Sequence, residues 1–170
     1  MPRYRRYFSP EDWVFITMVT AERRPWLQDA QAKQDLLWVF RSVKRHHGYR
    51  HIAHVILDDH LHWMLIAEGR AGVSRLVSSV KLGVLHRRRR IGQPWRDLWQ
   101  PRFYDHILRN EVDFRRHLDY IHYNPVKHGY VASPAEYPWS SFPSWVRRGV
   151  YDYHWGEHEP ASTTTINYES

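Results

Sequence analysis

Apolar and polar positions follow two different periods along this chain. Residues 13–20 (WVFITMVT) are β-branched and aromatic, and Pro25 follows shortly after, which predicts a first strand. Over 29–47, Leu36, Leu37, Phe40 and Val43 recur at helical spacing and Gly48 supplies a stop, which predicts a first helix. Two strands are expected next, 52–57 and 61–67, joined through Asp58 and Asp59 by a tight hairpin that lacks an Asn-Gly signal. Val73, Leu76, Val77, Val80 and Val84 then fall on one stripe of a second helix that runs into four consecutive arginines. The aromatic-rich stretch 98–107 reads as a fourth strand, on which Pro101 implies an edge position or a late start. A third, C-terminal helix opens on Asn110 as its cap, with Glu111 and Asp113 in the first turn and a core stripe of Phe114, Leu118 and Ile121. Pro125 disfavours helical geometry at Asn124, so this helix is expected to end near there.

The order β-α-β-β-α-β predicts an α+β fold of the ferredoxin-like split βαβ kind. That is an antiparallel sheet with two helices on one face, plus the helix that carries Tyr120. With 170 residues, 42% of them hydrophobic, the chain suits one compact domain, read here as 1–149. Residues 150–170, polar and punctuated by proline, read as a poorly ordered tail. Such a fold hosts many activities and settles none of them.

Composition narrows the chemistry. Without cysteine there is no disulfide framework and no thiolate metal site, so a metal has to be held by imidazole, carboxylate, amide or phosphate oxygen. Lys and Arg number 25 against 18 Asp and Glu, and a formal charge of +7 favours a polyanionic partner, nucleic acid first. A membrane is disfavoured, because no apolar run approaches the roughly 18 residues of a spanning helix and the N-terminus lacks a signal peptide's apolar segment. A cytoplasmic protein is expected. The cationic candidates for DNA are Arg3, Arg5 and Arg6 in an N-terminal arm, and Lys81, Arg87, Arg88, Arg89 and Arg90 on the second helix. The arginine run would equally serve as solvated partners of the helix's negative end. Trp95, Trp99 and Tyr104 could stack unpaired bases or belong to the core.

His60 and His62 are two apart on a predicted strand and so project from one face, near enough to share a cation. Alone the spacing makes a half-site, and two polar residues at a hairpin mouth would look the same. Asp58 and Asp59 are turn residues first, with orientation of the imidazoles as their other possible role. On the third helix Tyr120 and Asn124 lie four apart on adjacent turns. Asn124 offers an amide oxygen beside two imidazole nitrogens. Tyr120 would act as a nucleophile only with a metal and cations nearby, and is otherwise a half-buried helix tyrosine.

The longer strings add a resemblance. YIHYNPVKHGYV at 120–131, followed by YPWSS at 137–141, resembles the signature of the REP-associated tyrosine transposases, members of the single-tyrosine HUH transposases. DHLHW at 59–63 resembles the family's His-hydrophobe-His motif, and LWQPRFYDH at 98–106 resembles its next block, in the same order and spacing. The likeness runs from about Arg5 to Phe142.

It implies His60, His62 and Asn124 as ligands of Mg²⁺ or Mn²⁺, and Tyr120, ahead of Tyr104 and Tyr123, as the nucleophile. The implied activity is cleavage and rejoining of single-stranded DNA at hairpins, such as repetitive extragenic palindromes, through a 5′-phosphotyrosine intermediate. The implied setting is the bacterial cytoplasm, at the nucleoid while acting; monomer and homodimer are both left open. The alternatives are a hairpin-binding protein that does not cleave, and a metallohydrolase with water as its nucleophile.

Overall fold

The structure, a computed structural model, describes residues 9, 11–68, 72–94, 96–164 and 166. Four strands, β1 (Trp13–Val19), β2 (Arg50–Ile56), β3 (His60–Ile66) and β4 (Tyr104–Ile107), form one antiparallel sheet in the order β2-β3-β1-β4. This is the expected split βαβ topology. The long helices are α1 (Ala30–His47), α2 (Val73–Arg90) and α3 (Glu111–Lys127), and a short α4 (Phe142–Arg147) follows. The helix carrying Tyr120 is therefore not the last one.

Strand period sorts the core into two layers. Val14, Ile16 and Met18 of β1 and Leu61, Trp63 and Leu65 of β3 face α1 and α2, where Leu36, Val39, Phe40, Leu76, Val77 and Val80 complete one cluster. The alternate positions, Phe15, Ala53, Val55 and Met64, face Leu118 and Ile121 of α3. All seven residues of β3 are buried, so its polar side chains need partners inside the protein.

Local chemistry sets the ends of the elements. Asp29 caps α1 by accepting from the Gln31 amide at 3.1 Å, and Gly48, at φ 66°, ends it in a conformation that glycine adopts without strain. Asn110 caps α3 through the Asp113 amide at 2.9 Å. The two-residue loop Asp58-Asp59 is closed by the Leu57 amide donating to the His60 carbonyl at 2.9 Å.

Three boundaries are sharpened or corrected. The fourth strand starts late and lies at the sheet edge, as Pro101 implied: it is Tyr104–Ile107, and Trp99 keeps just an isolated bridge to Thr20. Helix α3 does not stop at Asn124 but runs through Pro125 to Lys127. The proline falls in the last turn, where it forfeits one backbone bond, and its own burial offsets that loss. Residues 150–164, read as part of a loose tail, lie in part against α3: Tyr151 and Thr163 are buried, and the Tyr151 and Ser162 hydroxyls both donate to Asp119 at 2.7 Å.

A β-bulge in β2 between His51 and Ala53 turns His51 and His54 to the same face, where His51 Nε2 and His54 Nδ1 share a hydrogen bond of 2.9 Å. Trp63 Nε1 donates to the other His51 nitrogen at 3.2 Å. On the opposite face Ser141 Oγ meets His122 Nε2 at 2.8 Å and accepts from the His54 amide at 2.9 Å. Burial, reinforced by the Arg41 charge, lowers His54 from 6.5 to about 4. Burial and then the charge of His54 lower His122 to about 3.

Both groups bind protons more readily in the unfolded chain. Their contribution to stability is therefore present above about pH 6.5 and is lost as pH falls toward 4. Urea unfolding at pH 7.5 and pH 5 should show a loss on the order of 3 kcal/mol. A flat profile across that window would mean the two imidazoles are not held neutral.

Candidate active site

The face of the sheet under α3 carries a short polar run at one end. Antiparallel register sets Thr17 opposite His62 and Val19 opposite His60, all on that face. His62 Nδ1 shares a 2.9 Å hydrogen bond with Thr17 Oγ1, and His60 Nδ1 lies 2.6 Å from Asp59 Oδ1. A carboxylate only accepts, so the proton of His60 sits on Nδ1 and its Nε2 carries the lone pair. That Nε2 is buried with no hydrogen-bond partner, and His62 Nε2 and Asn124 Oδ1 are buried atoms as well.

Asp59 is in turn held by the loop after β1. Arg23 Nη1 stands 3.2 Å from its Oδ2, and the Thr20 hydroxyl and amide both donate to its carbonyl at 2.9 Å. The His60 hydrogen bond, ahead of the Arg23 contacts, holds the Asp59 carboxyl below its ordinary value. Its neighbour Asp58 is engaged separately, by the buried Lys33 ammonium at 2.7 Å.

Helix α3 delivers Tyr120 to the same place. The Tyr120 ring centre is 5.1 Å from that of His62, and the His60 and His62 ring centres are 5.0 Å apart. Phe15 stacks on His62 at 5.3 Å and meets Tyr120 edge-on at 6.1 Å, filling the space between sheet and helix. Asn124, one turn further on, is fully buried, and the Lys127 ammonium lies 5.1 Å from the Tyr120 ring centre. Tyr120 itself is 1% exposed. Of the other tyrosines, Tyr104 shares this face but stands beyond Thr17 on β4, two strand spacings or roughly 10 Å from His62. A cleft of about 470 Å³ opens beside His60, between Arg23, Asp58, Asp59, His128 and Tyr130.

The family whose description is "Transposase IS200 like" matches residues 13–124, a span that contains both histidines, Tyr120 and Asn124. The REP-associated tyrosine transposase of Escherichia coli K12 is 36% identical over 157 residues, covering 91% of each chain. This chain belongs to the REP-associated tyrosine transposases. A Haemophilus influenzae relative, described as a putative member, is 30% identical over 167 residues, 92% of this chain and 94% of its own. A REP-associated tyrosine transposase solved bound to a REP hairpin superimposes with a TM-score of 0.80 at 34% identity, over 98% of this chain and 99% of its own. A putative transposase from Deinococcus radiodurans, at a TM-score of 0.50 and 20% identity over 68% of this chain and 92% of its own, shares the fold.

In this member of the family the expected cationic patch divides. Lys81 donates to the Gln100 and Pro101 carbonyls at 2.6 and 3.3 Å, and burial lowers its pKa. Arg87 Nε lies 2.6 Å from the buried Asp35 carboxylate, with its guanidinium over Trp38. Arg88 is 6% exposed, donates to the Pro94 carbonyl at 2.7 Å and lies over Trp26. These three side chains tie helices and loops together, and Arg89 and Arg90 are the exposed members of the run.

Arg3, Arg5, Arg6 and Trp95 lie outside the described residues. Trp99 meets Trp26 edge-on at 5.1 Å and packs against the core, while Tyr104 is 45% exposed. Sequence reasoning did not single out Thr17, Arg23 or Lys127. Lys127 was findable at two helical turns from Tyr120, whereas Thr17 and Arg23 come close only through strand register and loop course. No helix among the described residues is long and apolar enough to cross a membrane.

The division of the arginine run is testable. Arg87→Ala leaves the buried Asp35 carboxylate without its cation and should cost about 2–4 kcal/mol in thermal or urea unfolding. Arg90→Ala should stay within about 0.5 kcal/mol of the parent. Equal effects at the two positions would contradict the division.

Proposed function

We propose that this chain is a divalent-metal-dependent strand transferase. In this reading it cleaves and rejoins single-stranded DNA at hairpins such as repetitive extragenic palindromes, with Tyr120 as nucleophile and His60, His62 and Asn124 as metal ligands. The observation that carries the reading is the convergence of two imidazoles and one phenol in a single buried corner, with ring centres 5.0 Å apart from His60 to His62 and 5.1 Å from His62 to Tyr120. The relative bound to a REP hairpin supports hairpin DNA as the partner. The family match supports transposition chemistry, carried out in the cytoplasm of a bacterium.

The residues fit a metal. Two imidazole nitrogens and an amide oxygen are a borderline donor set that accepts Mn²⁺ and, with phosphate and water oxygens, Mg²⁺. His60 presents a buried Nε2 with no hydrogen-bond partner, and Asp59 keeps that nitrogen free of a proton. When bound, the ion would supply Lewis-acid charge to a non-bridging oxygen of the scissile phosphate.

Tyr120 Oη then forms a bond to phosphorus as the bond to the 3′ oxygen breaks. The products are a 5′-phosphotyrosine and a 3′-hydroxyl; the phenolic proton passes to solvent and the departing oxygen takes one up. The Lys127 ammonium near the ring stabilises the negative charge that the phenol develops. Because the phosphotyrosyl link conserves the phosphodiester's energy, a second 3′-hydroxyl reverses the step and joins strands. Arg89 and Arg90, exposed at the end of α2, are cations assigned to the DNA backbone, and the sequence adds Arg3, Arg5 and Arg6 to them.

One observation favours the non-cleaving alternative: Tyr120 is 1% exposed, so DNA must displace part of its cover before a phosphate reaches the hydroxyl. A labelled hairpin oligonucleotide incubated with Mn²⁺ separates the two readings. The parent and Tyr104→Phe should leave DNA covalently on the protein, and Tyr120→Phe should leave none. Equal adduct from parent and Tyr120→Phe would rule out Tyr120 as the nucleophile, and none from either sinks the enzyme reading.

Asp59 has its own test. Asp59→Ala frees His60 to rotate and to carry its proton on Nε2, so Mn²⁺ affinity measured by calorimetry should fall roughly 10–100-fold. An unchanged affinity would show that His60 does not bind the ion through the nitrogen assigned here.

A further inference from the structure

Away from the proposed catalytic residues, one group of three metal-ligating side chains among the described residues brings its donor atoms together. His106 of β4 and Asp113 and His117 of α3 each offer one ligand atom, all within 4.8 Å of one another. His106 Nε2 lies 3.0 Å from Asp113 Oδ2, and His117 Nδ1 lies 3.2 Å from Asp113 Oδ1. Two ligands held about 2.0–2.1 Å from a tetrahedral ion stand roughly 3.3–3.4 Å apart, so the donor spacing is close to that of a first coordination sphere.

We propose that His106, Asp113 and His117 form a transition-metal site, for a borderline ion such as Zn²⁺, that clasps β4 to the first turns of α3. Asp113 and His117 are four apart on one helical face, and the third donor comes from a paired strand, so all three stand on regular elements. Two imidazoles and one carboxylate are a donor set for Zn²⁺ and its neighbours, and too poor in oxygen for Mg²⁺ or Ca²⁺. His117 is buried, while the side chains of His106 and Asp113 are 22% and 23% exposed, which leaves a way in for the ion and a position for water.

His117 Nδ1 lies 2.8 Å from the Asp113 backbone carbonyl, which only accepts, so this nitrogen carries the proton and an ion bound there displaces it to Nε2. Burial lowers His117 and keeps the imidazole neutral. Burial alone would raise Asp113, but hydrogen bonds from the Arg109 amide and His106 hold it below its ordinary value, as the ligating carboxylate.

The site is distinct from His60 and His62. Phe15 stands between them, its ring 4.9 Å from His117 on one side and 5.3 Å from His62 on the other. The clasp would act on the catalytic helix by position, since Tyr120 follows His117 by three residues, and it does not depend on His60 or His62 binding metal.

Zn²⁺ retained after equilibrium dialysis of the His60→Ala/His62→Ala variant, measured by elemental analysis, is the test. One equivalent retained, and lost on adding His106→Ala, is the expected result. None retained, or one equivalent unaffected by His106→Ala, overturns the site and leaves Asp113 as a hydrogen-bonded anchor for two histidines. If either variant fails to fold, ring-nitrogen NMR of the unaltered chain decides: Zn²⁺ should shift the resonances of both His106 and His117, and shifts at neither would refute the proposal.

Discussion

The antiparallel pairing of β1 with β3 at the centre of the sheet is the constraint from which the other arrangements follow. Both faces of β3 are covered, so its alternation cannot be hydrophobic inside and polar outside; each polar residue on it has to be satisfied within the protein. Leu61, Trp63 and Leu65 meet that demand by being apolar, whereas His60 and His62 meet it through Asp59 and Thr17. The imidazoles are thus held by the partners that offset the cost of their burial, and their Nε2 atoms are buried on the face that α3 covers. Site and fold share one set of contacts here.

The two sides of the sheet divide the labour. Helices α1 and α2 seal one face with a large apolar cluster, and Gly83 of α2 lies so near α1 that an added Cβ would sit 2.7 Å from Val39. That side works as foundation. The other face carries aromatic and imidazole rings among its apolar residues, and α3 lies across it with Tyr120 turned down between Phe15 and His62. Polar groups buried against aromatic rings, without bulk water to screen them, interact more strongly than the same groups on an open surface.

Much of this was legible from the residues. Apolar stripes located three helices because each buries one face, and period-two alternation together with the hairpin turn gave the strand order a form that the register bears out. The spacing of His60 and His62 defined a half-site, and the strings around Tyr120 identified the family. What local pattern could not supply was the joining of distant segments. The approach of Thr17 to His62 spans 45 residues and that of Arg23 to Asp59 spans 36, and neither leaves a periodic trace.

Two local rules were also outweighed. Pro125 was expected to take Asn124 out of helical geometry, but with both residues buried the helix keeps them and ends at Lys127. The arginine run suggested a single surface, yet a helix turns about 100° per residue, so four consecutive side chains point in four directions. Arg87 and Arg88 turn inward to Asp35 and Trp26. The composition of 150–170 concealed Tyr151, Trp155 and Ser162, whose anchorage depends on aromatic and hydrogen-bond partners on α3 and α4.

The bulge in β2 has an evolutionary corollary. His51 and His54 are three apart, a spacing that in a regular strand would send them to opposite faces; the single extra residue brings them together. The extra residue and the bulge are therefore kept or lost together. Losing Ile52 would leave the imidazoles two apart on a regular strand and still on one face, whereas straightening the bulge with all residues kept would turn one ring out of its layer. A one-residue gap at the bulge is thus compatible with the imidazole pair, while a gap elsewhere between the two histidines and the end of the strand shifts every later side chain to the other face.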